Sequence, residues 1–149
     1  MITWLPQQQR SACVTSCVRM VLTGFGQFKT EEQVRRALHQ SAAGITLAKA
    51  HRQLLHQSVA AELHGDWKIV DLRDCLRESW HPIVGIERRV LGHPDASHAV
   101  VLVGISSQSV EAFDPLGTST PIVFKIKTFD LAWSSAGQQA LVIKSPFPL

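Results

Sequence analysis

Ser97-His98-Ala99-Val100-Val101-Leu102-Val103-Gly104-Ile105 is the stretch whose reading decides the fold. From Ala99 onward it is apolar apart from one glycine, so neither face of an extended segment here would tolerate water. A strand of that kind is central in its sheet and covered on both sides. The pattern around it supplies the covers and the partners. Ahead of it lies a probable strand over Pro82–Ile86; after it come strands over Ser109–Phe113, Pro121–Ile126 and Ala140–Lys144, with a short helical turn near Phe129–Trp133. These make a sheet of about five strands, and a further short strand over Val59–Leu63 would add to it.

The first half of the chain reads differently. Val14, Cys17, Val18, Val21 and Leu22 recur at helical spacing over Cys13–Thr23, with Ser11 as the N-cap and Gly24 and Gly26 at the end. Thr30 and Gln33 form a capping box opening a helix over 30–40. Thr46 opens a third helix to about Gln57, with Leu47, Ala50, Leu54 and Leu55 inward. A fourth covers Ile69–Ser79 around Leu72, Cys75 and Leu76. Helices crowd the first half and strands the second. That segregation predicts an α+β fold, with N-terminal helices packed on a C-terminal antiparallel sheet, as a single domain over 1–149. The first helix is expected to cover the 99–105 strand, which would make Cys13 and His98 packing neighbours.

Composition excludes several function classes. Apolar residues make up 45% and charged residues 18%, which is globular. Fifteen basic against twelve acidic residues give a net charge of +3, with Lys and Arg scattered, so no nucleic-acid footprint is present. The longest apolar run is Ala99–Ile105, short of a membrane span. Three cysteines are too few and odd in number for a disulfide framework, and no signal peptide is visible. The expected location is the cytoplasm, with secretion through other signals left open. The oligomeric state is not legible.

The chemistry-bearing residues form one constellation. A thiol attacks carbonyls as thiolate, and a helix N-terminus and an imidazolium both favour that form. Cys13, in the first turn of its helix, has the first device; Cys17 lies a turn deeper, where a small buried residue is expected. His98 is the candidate base. A hairpin turning on Ser106 would set Asp114 directly opposite His98, where a carboxylate would orient the imidazole. Gln7, Gln8 and Gln9 all stand where a side-chain amide could stabilise an oxyanion beside the Cys13 amide. Zinc ligation by Cys13 and Cys17, or by His93, Asp95 and His98, lacks four ligands at a usual spacing. No cofactor or metal is called for. A binding module without turnover and an acyltransferase using the same triad remain the rival readings.

Together these residues carry a resemblance. Gln7 through Gly26, with Cys13 six residues after Gln7 and then Ser16, Met20, Phe25 and Gly26, resembles the opening of the C39 family of papain-like cysteine peptidases, the bacteriocin-processing type that also occurs alone. Ser97-His98-Ala-Val-Val-Leu is similar to that family's histidine strand, and Phe113-Asp114-Pro115-Leu-Gly117 to its aspartate turn. Pro82-Ile83-Val84 and Gly44-Ile-Thr-Leu match in order as well. The resemblance implies a papain-like fold and a thiol protease acting on a peptide or protein substrate. It also implies Cys13 as nucleophile, His98 and Asp114 as its partners, and Gln7 among the three glutamines as the oxyanion donor, with cleavage after small residues such as Gly-Gly. The C70 effector proteases are a second relative with the same residue order.

Two departures bear on the cleft. The family usually has Asp-Cys-Gly where this chain has Ala12-Cys13-Val14, so a branched side chain is expected to crowd the groove. The long segment Glu87–Ser97 is expected to lie over the cleft, where Arg88 and Arg89 either form a solvated face or favour acidic residues near the cleavage site.

Overall fold

The computed structural model describes residues 1–94 and 97–149. The order is α1 (Cys13–Thr23), α2 (Glu31–Ala37), α3 (Leu47–His56), β1 (Ala61–His64), α4 (Ile69–Arg77), β2 (Ile83–Glu87), a 3-10 turn (Arg88–Leu91), β3 (Ser97–Ile105), β4 (Ser109–Phe113), β5 (Ile122–Lys125), α5 (Ile126–Ser135) and β6 (Ala140–Ile143). The strands form one antiparallel sheet in the order β1-β6-β2-β3-β4-β5. Among the described residues it has six strands, the five expected and the short one expected near Val59–Leu63, which runs over Ala61–His64 and pairs with β6 along one edge.

β3 is interior, as its two apolar faces require. Ala99 and Val101 turn into one core with Val14, Cys17, Val18 and Val21 of α1, Val34 of α2 and Leu47 and Leu54 of α3. Val100 and Leu102 turn into a second core with Leu72 of α4 and Phe129, Ala132 and Trp133 of α5. The first helix thus covers one face only, and the other is covered by the two later helices. Each fully buried aliphatic side chain contributes about 1.5–3 kcal/mol, so the strand is held firmly from both sides. α5 is longer than the expected turn at Phe129–Trp133. Alternating Ile122, Phe124 and Ile126 read as strand, yet Ile126 is the first residue of the helix whose buried side carries Phe129 and Trp133.

The hairpin register departs from expectation by two residues. Val101 faces Phe113 and Leu102 faces Ala112, with a bulge at Val103 between Leu102 and Gly104. The turn is closed by Ser106 N–H donating to the Ser109 carbonyl (2.9 Å), with Ser107 and Gln108 at its tip. Asp114 lies just past the end of β4, so it is a diagonal neighbour of His98 and not its direct partner.

The irregular lead-in is anchored at both flanks. Trp4 Nε1 donates to the Asp114 carbonyl (2.8 Å) and Gln7 N–H to the Pro115 carbonyl (3.0 Å). On the other side the carboxylate of Glu31, only 2% exposed, accepts from Gln8 N–H (2.8 Å), Gln9 N–H (3.0 Å) and Ser16 Oγ (3.1 Å). Glu31 therefore fastens the lead-in to α1. Glu31→Ala would remove three bonds to a carboxylate, one of them from the buried Ser16 hydroxyl, and hydrogen bonds to charged groups contribute roughly 1.5–3 kcal/mol each. The expected result is a loss of at least about 3 kcal/mol in urea unfolding; an unchanged midpoint would refute this role.

Candidate active site

Cys13 occupies the first position of α1, after Ala12 as N-cap. The expected cap, Ser11, makes no such bond: Ala12 precedes the helix with no side-chain cap, and the Ser11 hydroxyl faces Gln40 Nε2 (3.5 Å). No acidic residue lies in the first turn, so the positive end of the helix is left for the thiol. Val14 does not crowd the groove. It is 6% exposed and packed in the core beneath α1.

His98 is buried at the start of β3, and its Nε2 bonds to Asp114 Oδ1 at 2.6 Å. That leaves Nδ1 as the ring nitrogen for the Cys13 thiol, which lines the same cavity and whose protonation is coupled to that of the ring. Asp114 is set by its own turn. The Leu116 N–H donates to the same Oδ1 (2.8 Å) and the Gly117 N–H to the Asp114 carbonyl (2.9 Å). A Cβ on Gly117 would lie 3.3 Å from the Asp114 Cβ and carbonyl oxygen, so the tight turn favours glycine there.

The three groups shift one another's protonation. Burial pushes the Cys13 thiol up, but the hydrogen bond and charge of His98, with the Ala99 and Val14 N–H groups, bring it below the usual thiol range. Burial opposes charge on His98 as well; the Asp114 carboxylate and the Cys13 sulfur override it and raise the imidazole to about 9. Asp114 is held below the usual carboxylate range against its burial by His98, the Leu116 N–H and the charge of Arg88. Both shifts favour the same arrangement, thiolate beside imidazolium. Cys17 is the contrast: it is fully buried, and burial with the charges of Cys13 and Asp114 drives its thiol well above the usual range. Burial likewise raises Cys75, to about 11.

The signs give a pH prediction. The Cys13 thiolate forms as pH rises through its lowered value, whereas the imidazolium persists until about 9. Alkylation of Cys13 by iodoacetamide should therefore already be fast at pH 7. His98→Ala removes the principal lowering influence and leaves burial dominant, so the rate at pH 7 should fall roughly tenfold or more. An unchanged rate would show that the imidazole does not sustain the thiolate.

The sequence-predicted residues are not all brought together. Cys13, His98 and Asp114 meet. Gln7 lies in the adjacent lead-in, but its Nε2 donates to the carbonyls of Gln9 (2.9 Å) and Arg10 (3.0 Å), and its buried Oε1 has no protein partner among the described residues. A cavity of about 490 Å³ opens on Cys13 and His98, and Arg10, Ile45, Arg88 and Leu116 also line it. At its rim Gly44, at φ +102°, brings the α2–α3 connection so close that a Cβ would stand 2.9 Å from the Ser11 carbonyl oxygen. The segment before His98 does reach the cavity, through Arg88 and Ser97. Arg89 instead bonds back to Glu87 (3.0 Å). Glu31 was missed in the sequence, although it lies three and seven residues before the buried Val34 and Leu38 and so falls on the inward stripe of its helix. Asp95, named with His93 and His98 as a zinc ligand, lies outside the described residues; among those described, no three His, Cys, Asp or Glu side chains gather to hold a metal. Among the same residues, no helix is long and apolar enough to cross a membrane.

No family model matches the sequence, and no curated protein matches it. Solved structures do. A protein assigned as a C39-like peptidase from Bacillus anthracis superposes with a TM-score of 0.80 at 14% identity, over 99% of this chain and 96% of that one. The peptidase domain of Streptococcus ComA, a bifunctional ABC transporter of a quorum-sensing pathway, gives 0.78 at 15%, over 98% and 99%. A double-glycine-motif protease from an AMS/PCAT transporter, solved with its leader peptide, gives 0.73 at 17%, over 97% and 92%. Across nearly its whole length, this chain has the papain-like fold of the C39-like peptidase domains.

Proposed function

We propose that the protein is a cysteine peptidase that cleaves peptide bonds after small residues of the double-glycine type. The observation that carries this reading is one imidazole bonded through Nε2 to a carboxylate and sharing a cavity with a thiol whose pKa its charge lowers. In the proposed cycle the Cys13 thiolate attacks the scissile carbonyl. The resulting oxyanion is met by the Cys13 N–H, which as a first-turn amide has no acceptor within the helix, and by the Gln7 amide. The tetrahedral intermediate collapses with the C–N bond breaking, and His98 gives its Nδ1 proton to the leaving amine. Water then adds to the thioester, losing a proton to His98, and the acid product leaves with Cys13 again a thiolate. Asp114 holds the imidazole in orientation throughout. The substrate is a peptide or protein segment, as for the neighbour solved with a leader peptide. A thiolate nucleophile keeps its activity in a reducing compartment, and the cytoplasm is the location proposed for it.

The test is incubation with a peptide library, with product ends read by mass spectrometry with and without added amine acceptors. Free carboxylate ends following Gly-Gly or similar pairs are expected. Amide-linked acceptor products in place of acids would reassign the protein as an acyltransferase. No cleavage, joined to no labelling of Cys13 by a peptide epoxide at neutral pH, would reduce it to a binding module.

A further inference from the structure

Resting on the peptidase reading, we infer that Glu31 is the positioning residue of the oxyanion site: its carboxylate fixes where the Gln7 amide stands relative to the Cys13 N–H. The side chain is 2% exposed, and its two oxygens have separate partners. Oε1 accepts from the Gln8 N–H (2.8 Å) and the Ser16 hydroxyl (3.1 Å), and Oε2 from the Gln9 N–H (3.0 Å). Ser16 lies on α1 three residues after the nucleophile, and Gln8 and Gln9 directly follow Gln7. One planar group thus spans the two segments that carry the proposed oxyanion donors.

Gln9 is the junction between them. While its N–H is held by Glu31, its carbonyl accepts from Gln7 Nε2 (2.9 Å) and from the Ala12 N–H (3.2 Å). Ala12 is the N-cap immediately before Cys13. A shift of Gln9 would therefore move the side-chain donor and the start of the helix against each other. From the opposite side, the Gln7 N–H donates to the Pro115 carbonyl (3.0 Å), next to Asp114. That bond ties residue 7 to the aspartate turn, and Glu31 ties residues 8 and 9 to α1.

Stabilising its own helix does not account for where Glu31 points. A carboxylate in the first turn of α2 favours the helix dipole from an exposed position, and the neighbouring Glu32 is exposed there. Burying a carboxylate is costly unless its oxygens are well used, and here the lead-in and α1 use both. Oxyanion stabilisation depends on donors fixed before the charge develops. A displacement of about 1 Å at such a group can cost about 10²-fold in rate.

The test is a cycle of Glu31→Gln, Gln7→Ala and the double variant. Glu31→Gln keeps the side chain's size and one oxygen for Gln8 and Ser16, but sets an amide N–H group against the Gln9 N–H. Its kcat on peptide, counted per Cys13 that iodoacetamide can alkylate, is expected to fall about tenfold to a hundredfold. The rate of that alkylation should stay unchanged, because the reaction passes through no oxyanion. Added to Gln7→Ala, Glu31→Gln should lower kcat little further, whereas independent effects would multiply. Slowed alkylation, or the same fold-loss in both backgrounds, would mark a merely structural role and overturn the inference. An unchanged kcat in Glu31→Gln or in Gln7→Ala would overturn it as well. If Glu31→Gln does not fold, Ser16→Ala replaces it in the cycle, removing only the bond between the carboxylate and α1; a smaller loss is expected, again absent beside Gln7→Ala. If no peptide turns over, the burst of p-nitrophenol from a Gly-Gly p-nitrophenyl ester reads the same acylation step. Each of these failures leaves catalysis by the unaltered protein, and so the peptidase reading, in place. Absence of both cleavage and burst removes that reading and this inference with it.

Discussion

Cys13→Ala is expected to bring peptide cleavage down on the order of 10⁴-fold or more, because no other group can form the thioester. The fold should survive. Cys13 is half-buried at the end of a helix whose remaining face is packed by Val14, Cys17, Val18 and Val21, so losing one sulfur leaves the core intact. The melting temperature is expected to move by only a few degrees. The internal control is Cys17→Ser. Cys17 is 0% exposed and its thiol is held protonated, so most activity should remain even though a hydroxyl enters the core at about 1–3 kcal/mol. Retained cleavage in Cys13→Ala, or an equal loss at Cys17, would mean the wrong thiol has been assigned.

Gln7→Ala should lower kcat by about 10²–10³, the usual effect of removing one oxyanion donor. Alkylation of Cys13 by iodoacetamide should keep its rate, since that displacement forms no oxyanion. The two readouts separate stabilising charge from generating the thiolate. The amide now spends its protons on the Gln9 and Arg10 carbonyls. Arrival of substrate would exchange the two intraloop bonds for a bond to the developing oxyanion. An unchanged kcat would show instead that backbone N–H groups alone meet the charge.

What the sequence made legible was whatever local chemistry dictates. The two-faced apolar run identified β3 as interior, and the spacing of Val14, Val18 and Val21 bounded α1 at Cys13–Thr23. The Thr30 capping box and the Thr46 cap stand where expected, with Gln33 N–H to Thr30 Oγ1 and Lys49 N–H to Thr46 Oγ1 both at 3.1 Å. What escaped depends on tertiary contact. The register of β3 on β4 turns on a bulge at Val103 whose only trace is the neighbouring Gly104, a residue type that within a strand often marks such an irregularity. Asp114 still meets His98 because the shift was two residues, which preserves the face. The direction of the Gln7 amide is set by the Gln9 and Arg10 carbonyls of an irregular loop with no periodicity to read, and the burial of Glu31 by the lead-in and α1 packed over it.

The bond from Trp4 to the Asp114 carbonyl spans 110 residues. During synthesis the amino-terminal helices emerge first, carrying a thiol that has as yet neither its imidazole nor its carboxylate. An isolated cysteine of that kind is a poor nucleophile near neutrality. The reactive pair comes into being only after the β3–β4 hairpin has left the ribosome and closed against the first residues of the chain. The order of the residues thus acts as a timing device: the thiol gains its reactivity only once the hairpin carrying His98 and Asp114 has been made.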